Sequence, residues 1–258
     1  MNYLSRIGAI AFNGFRAGLR DRVLYWIGFF ALLWALALRI LPDISATYAD
    51  KILLDVGLGL MGVLSAIAVI FLGSQLIPQE IERRTILILL PKPLSRAELI
   101  VGKHLGLLGV AIALVLGMMA VYGLGLAIQQ ITFSPLNLWL SGVYLVLELG
   151  VLIAVALFFS VFTGAILATL LTLGIYLVGQ GSDDLLALGQ LSNNTSLQKL
   201  LQTLYIILPD LSRLNPRNDL VYGIVPSGLE LGLDLVYAVA YIVALLAIAI
   251  IIFNRRQF

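Results

Sequence analysis

The chain has 258 residues, of which 61% are hydrophobic and 12% charged, with a formal net charge of +2 and a mean hydropathy of +1.05. A soluble domain is nearer half apolar and about a quarter charged, so this polypeptide has too little polar surface to cover a water-soluble globule. It has no cysteine and a single histidine, His104, which excludes a disulfide framework, a thiolate metal site, a thiol nucleophile and a multi-histidine metal cage.

The first element precedes any spanning run. Leu4, Ile7, Ala11, Phe12, Phe15 and Leu19 recur at helical spacing, while Ser5, Arg6, Asn13, Arg16 and Arg20 lie mostly elsewhere around the helix. This predicts an amphipathic helix within residues 1–22, lying in the inner membrane interface with its basic face toward lipid headgroups. The plainer alternative is a basic N-terminus that only sets topology.

A bilayer-crossing helix needs about 20 mostly apolar residues. Six stretches qualify: 23–41, 52–77, 105–128, 136–159, 161–179 and 231–253. Their length and low charge predict helices, since a membrane barrel shows alternating segments of about 10 residues. The first run lacks a small-residue cleavage site and reads as a retained span.

Orientation follows from the basic residues. With the N-terminus inside, the inner segments hold Arg6, Arg16, Arg20, Arg22, Arg83, Arg84, Lys92, Arg96, Lys103, Arg255 and Arg256. The outer segments hold only Arg39, Lys51, Lys199, Arg213 and Arg217. Most acids fall on the outer side, so both termini are expected in the cytoplasm. The small net charge hides this asymmetry and gives no reason to expect nucleic acid as a partner.

The loop 78–104 concentrates charge in a chain that otherwise avoids it. Glu80, Glu82, Arg83 and Arg84 cluster on a predicted short helix that ends near Thr85. An apolar run, 86–90, is too short to span, and Pro91 and Pro93 then break the chain. Ser95 followed by Glu98 is a capping box that opens the next helix, with Arg96 in its first turn. Such a loop suits docking to a cytoplasmic partner, or its charges merely enforce topology. Further on, the fourth and fifth spans meet near 159–163 with almost no loop, which predicts a tight hairpin. The segment 180–230 is long for an external loop. Its short apolar stretches and Pro209, Pro216 and Pro226 predict short extracytoplasmic or re-entrant helices, or a cap lying on the bundle.

Chemistry-bearing motifs are sparse. Gly102-Lys103 is followed by His104, and Ala97 stands where a P-loop needs its leading glycine, so no ATP site is expected here. His104 reads as an interfacial residue at the inner edge of the third span. Glu148, by contrast, lies mid-span in LVLELGVL. An ionisable group there costs about 2.5–3.5 kcal/mol on insertion scales, so it must face the bundle, a partner or a water-filled cavity. It is a candidate for the substrate path or a gate, or else a protonated carboxyl bonded to a neighbouring hydroxyl. Arg39 can snorkel to the outer interface. Gly102 and Gly106 form a GxxxG pair, which permits close helix approach within the chain or between chains.

The loop QEIERRTILILLPKPLSRAELIVGKHLG resembles the first cytoplasmic loop of ABC-2 type exporter permeases. The matching residues are Glu80, Glu82, Thr85, the run 86–90, Pro93, Ser95, Arg96, Gly102 and Lys103; Arg84 stands where that family often has glycine. The six-span layout and the long outer segment fit as well. The resemblance implies one all-α transmembrane domain over 1–258 that works as a half-transporter. A second copy of this chain, or a homologous permease, would pair with it, and two separate ATPase subunits would carry ATP and magnesium. Glu80, Glu82, Arg83, Arg84 and Thr85 would form the coupling helix, Pro93, Ser95, Arg96 and Glu98 its returning turn, and the helices in 180–230 an outer gate. The N-terminal helix would also touch the ATPase. Two readings from other classes stand beside this one: a secondary transporter or channel using Glu148 as an ion or proton relay, and a non-transporting scaffold for a membrane complex.

Overall fold

The computed structural model describes residues 3–19, 23–44, 49–82, 95–182, 196, 198–199, 201, 203, 205 and 208–255. Within them the chain is helical: α1 (Tyr3–Gly18), α2 (Leu24–Ile44), α3 (Ala49–Glu82), α4 (Arg96–Ile128), α5 (Pro135–Phe162), α6 (Ala165–Gln180), a 3-10 turn (Ser212–Leu214), α7 (Arg217–Val221) and α8 (Gly228–Arg255). α2, α3, α4, α5 and α8 are long and apolar enough to cross a membrane. α6 is the exception. Its 16 residues extend about 24 Å, short of a hydrocarbon core of about 30 Å. The expected fifth span at 161–179 is therefore shortened from its start: α5 runs on to Phe162, and Thr163 and Gly164 adopt extended backbone and cap the two helices.

α5 is the central helix, with nearly three-quarters of its apolar window buried, and it packs on α3, α4, α6 and α8. Small residues set these approaches. Gly73 of α3 lies against Ala156, and Gly142 and Gly150 of α5 face Met119 of α4 and Ile242 of α8. Read along the chain, the pairs show α3, α5 and α8 running one way and α4 the other. We call the end bearing Pro135 and Gly228 distal, and the end bearing Arg96 and Arg255 proximal.

α1 does not lie apart from the bundle. Gly102, Gly106 and Gly109 of α4 meet Ile10, Ala11 and Phe15 in order, and α2 continues in the same direction, with Ile27 against Gly117 and Leu38 against Gly125. The Gly102–Gly106 pair thus serves α1 of the same chain: a Cβ on Gly106 would sit 2.8 Å from the Ala11 carbonyl oxygen. Ile7, Ile10, Ala11, Gly14 and Phe15 turn inward, leaving Asn13 and Arg16 exposed as the periodicity predicts, whereas Phe12, expected on the apolar face, is exposed at 61%. Helices α1 and α2 together are about 55–60 Å long, so a bilayer fits α2 alone, and α1 must flank the proximal margin beside the start of α4.

α3 is also longer than its apolar run. It continues through Pro78 to Glu82 where a separate short helix is expected. A proline deletes one i→i−4 bond, here to the carbonyl of Ser74, yet the helix persists. At the distal end of the bundle, Trp34 of α2 stacks on Tyr122 of α4 at 5.0 Å, filling the space that Gly57 and Gly125 leave open, and the Tyr122 hydroxyl donates to the Leu54 carbonyl at 2.9 Å.

Candidate functional site

Glu148 is 1% exposed and sits on the central helix, thirteen residues from its distal start, about 20 Å along the axis. The last residue of α6 meets it: Gln180 Nε2 donates to Glu148 Oε1 at 2.6 Å. α6 therefore stops at half the height of α5. Gln180 keeps its carbonyl oxygen for Asn215, whose Nδ2 donates to it at 2.8 Å. Asn215 in turn accepts from Arg217 Nε. Arg217 then reaches α3, where Nη1 donates to the carbonyls of Leu58 at 3.1 Å and Gly59 at 3.5 Å. The result is one polar chain, carboxyl–amide–amide–guanidinium, joining α5, α6, the α7 start and α3. Glu148 and Arg217 are joined through two neutral amides rather than paired directly. Gly62 makes the geometry feasible, since a Cβ there would collide with the Arg217 guanidinium.

The backbone around this relay is irregular at depth. Leu211 N–H donates to the Gly179 carbonyl at 3.1 Å, which docks the 3-10 turn onto the open end of α6. Gly179 is required there, because a Cβ would lie 2.8 Å from the Pro209 carbonyl oxygen. The chain then climbs through α7 until the Leu220 carbonyl accepts from Asn137 Nδ2 at 2.9 Å, near the distal start of α5. Non-helical backbone at such depth is tolerated in hydrocarbon only where protein buries it or it lines a cavity. Residues 208–221 run from the half-height end of α6 to the distal start of α5; residues 183–195 lie outside the described ones.

A second polar cluster ties the same segment to α8. Asp210 Oδ1 accepts from Ser182 Oγ at 2.5 Å and from Ser212 Oγ at 2.6 Å, and the Asp210 N–H donates to the Tyr237 hydroxyl at 2.7 Å. Arg213 Nε donates to Asp234 Oδ1 at 2.6 Å, while the Tyr144 hydroxyl donates to Asp234 Oδ2 at 2.9 Å. The segment 208–221 is thus gripped by side chains of α5 and α8 as well as by α6 and α3.

The proximal site residues divide. Glu80 and Glu82 fall in the last turn of α3, with their side chains outside the described residues, and Arg83, Arg84, Thr85 and Pro93 lie outside them altogether. Ser95, Arg96 and Glu98 are described. The capping box is complete: Ser95 N–H donates to Glu98 Oε2 at 2.6 Å, and Glu98 N–H donates to Ser95 Oγ at 3.2 Å. Arg96 Nη1 donates to the Phe253 carbonyl at 2.5 Å and lies over the Phe253 ring, fastening the start of α4 to the end of α8. His104 is not at a solvated edge. It is buried, with Nε2 3.1 Å from the Gly150 carbonyl oxygen, and joins α4 to α5. At the distal end Arg39 is exposed and pairs with Asp43 at 3.2 Å.

No local spacing in the sequence links Gln180, Asn215 and Arg217 to Glu148; the one signal there is that polar and basic residues interrupt the short apolar stretches of this segment.

The fold defines a multi-pass helical integral membrane protein whose polar groups converge at half-height. The family model for ABC-2 family transporter proteins matches residues 9–258, and the chain belongs to that family. It is an ABC-2 type permease, the class that forms the transmembrane part of an ABC transporter and pairs with an ATPase subunit. No curated protein matches the chain.

Proposed function

We propose that this chain is the membrane subunit of an ATP-driven exporter, working as a dimer with two separate ATPase subunits, and that the Glu148–Arg217 relay is its gate. The proximal end, with Arg16, Lys103 and Arg255, faces the cytoplasm, and the membrane is a bacterial inner membrane. ATP binding closes the ATPase dimer and moves the coupling segment Glu80–Thr85. Glu80 and Glu82 lie in the last turn of α3, so this motion is delivered along α3 to the Leu58–Gly62 stretch that holds Arg217. The observation that carries the gate is that α3, α5, α6 and the segment 208–221 meet through one chain of hydrogen bonds at half-height. A helix shift at α3 breaks the Arg217 contacts and frees the segment. The permease is then a two-state element whose equilibrium the ATPase biases.

The test is a Glu82→Ala/Arg83→Ala double variant reconstituted with its ATPase. ATP hydrolysis persists and transport stops if this segment couples the two. Unaltered transport discards the coupling assignment. Buried Glu148, hydrogen-bonded at half-height, also favours a second reading, an ion or proton relay in a secondary transporter or channel. That reading requires transport by liposomes that hold this chain alone.

A further inference from the structure

A cavity of about 270 Å³ lies at the distal end, between α3, α4, α5 and α7. Its body is apolar, formed by Leu54, Leu58, Leu138, Leu220 and Val221. Its lip is polar but uncharged, formed by Thr132, Ser134, Asn137 and Tyr222. Among the described residues that line it, none is acidic or basic. Several polar groups there are already used within the protein. The Tyr122 hydroxyl donates to Leu54, Asn137 Nδ2 to Leu220, and Ser141 Oγ to the Asn137 carbonyl. What is left over in the lining is uncharged hydrogen-bonding capacity, with the Lys51 ammonium beside it over the Tyr222 ring at 4.9 Å. Ser134, the N-cap of α5, makes no side-chain capping bond, and the first-turn N–H groups of that helix have no acceptor inside it.

We propose that this cavity binds a neutral amphiphile, with an aliphatic or aromatic body in the Leu54–Leu58–Leu138 pocket and a hydroxyl, carbonyl or amide head at the Ser134–Asn137 lip. A phosphate or ammonium head would meet no charged side chain in the lining itself, and the Lys51 ammonium beside the lip is engaged with the Tyr222 ring at 4.9 Å, so the lining favours an uncharged head. The volume equals roughly nine water-sized groups, at the small end for ligand pockets. The position gives the ligand leverage on the gate. Leu58 lines the cavity and offers its carbonyl to Arg217, while Leu220 and Val221 of α7 form the facing wall. An occupant therefore presses on the helix that Arg217 pins to α3. This deepens the transport reading by naming the class of cargo and rests on it for that meaning. Binding itself is measured without ATP, so its failure leaves the coupling assignment standing.

The experiment uses the full chain with its ATPase in nanodiscs of dimyristoyl phosphatidylcholine, without nucleotide, and a diazirine-bearing decanol as probe. After photolysis, peptide mass spectrometry maps the adducts. Labelling of Leu54, Leu58, Leu138 and Val221 at least five-fold above the exposed Leu32 and Leu36 face is expected, with loss of that excess on adding plain decanol. Leu138→Trp, and independently Val221→Trp, fill the cavity and remove the excess while labelling at Leu32 and Leu36 stays. Equal labelling of both surfaces overturns the proposal, as does excess labelling that survives both tryptophan variants. If a diazirine on the acyl chain of phosphatidylcholine marks the cavity as strongly as the decanol does, the occupant is a lipid tail and the proposal fails.

Discussion

Arg217 reaches α3 because Gly62 has no side chain, so the smallest residue in the relay decides whether its largest one fits. Gly62→Val displaces the guanidinium from the Leu58 and Gly59 carbonyls without changing the apolar character of α3. Hydrogen bonds to a charged group contribute about 1.5–3 kcal/mol, so a lower melting temperature in detergent is expected, together with loss of transport. A variant that transports normally shows that the Arg217 anchor is not used. Glu148 separates charge from shape. Glu148→Gln can still accept from Gln180 Nε2, so its melting temperature stays near the parent while transport falls if the carboxylate charge is needed. Glu148→Leu leaves that buried amide donor without an acceptor, a loss of about 1–3 kcal/mol. Equal transport by Glu148→Gln and the parent chain reduces Glu148 to a structural hydrogen-bond acceptor. The depth of Glu148 was legible because one carboxyl in an apolar run is costly wherever it stands. Its companions were not, because Gln180 and Arg217 are 32 and 69 positions away and no local spacing links them.

The elements teach a different lesson, one of length. Hydropathy located five spanning helices, since an apolar run of about 20 residues has few alternatives in a bilayer. It starts the fifth span at 161, four residues before α6 begins, because Leu and Val around the Thr163–Gly164 corner are as apolar as those inside α6. Where a helix ends is decided by capping and packing, and here the short α6 leaves Gln180 at the level of Glu148. The Ser95–Glu98 box is readable because both partners lie within one turn; the same pattern closes at Ser227 and Glu230, at 2.7 and 3.3 Å, in the proline-punctuated stretch before α8. The GxxxG pair shows what such a motif withholds: Gly102 and Gly106 call for a close neighbour without saying which. That neighbour is α1, and Gly106→Val tests the contact. Overpacking costs about 1–3 kcal/mol, and the Ala11 backbone cannot yield as a side chain would. Spin labels at Ser5 and Leu99 should then report a longer and broader distance than in the parent chain. An unchanged distance contradicts the packing of α1 on α4.

At the scale of the molecule, charge is rationed to places with a task. It collects at the proximal loop, at the distal rim, along the Glu148–Arg217 relay and in the Asp210–Arg213–Asp234 cluster, while Leu32 and Leu36 of α2 and Val239 and Val243 of α8 form exposed apolar faces. Membership in the ABC-2 family makes the chain a permease, and the helix arrangement gives a route by which motion at Glu82 reaches Arg217 along α3. The central claim is that this permease does its work only with a separate ATPase. Native mass spectrometry of the chain, extracted from its own membrane in mild detergent, tests that most directly. The account predicts an assembly of two 28.0 kDa permease chains with two nucleotide-binding ATPase subunits. A chain that emerges without an ATPase, and that transports when reconstituted by itself, would contradict it.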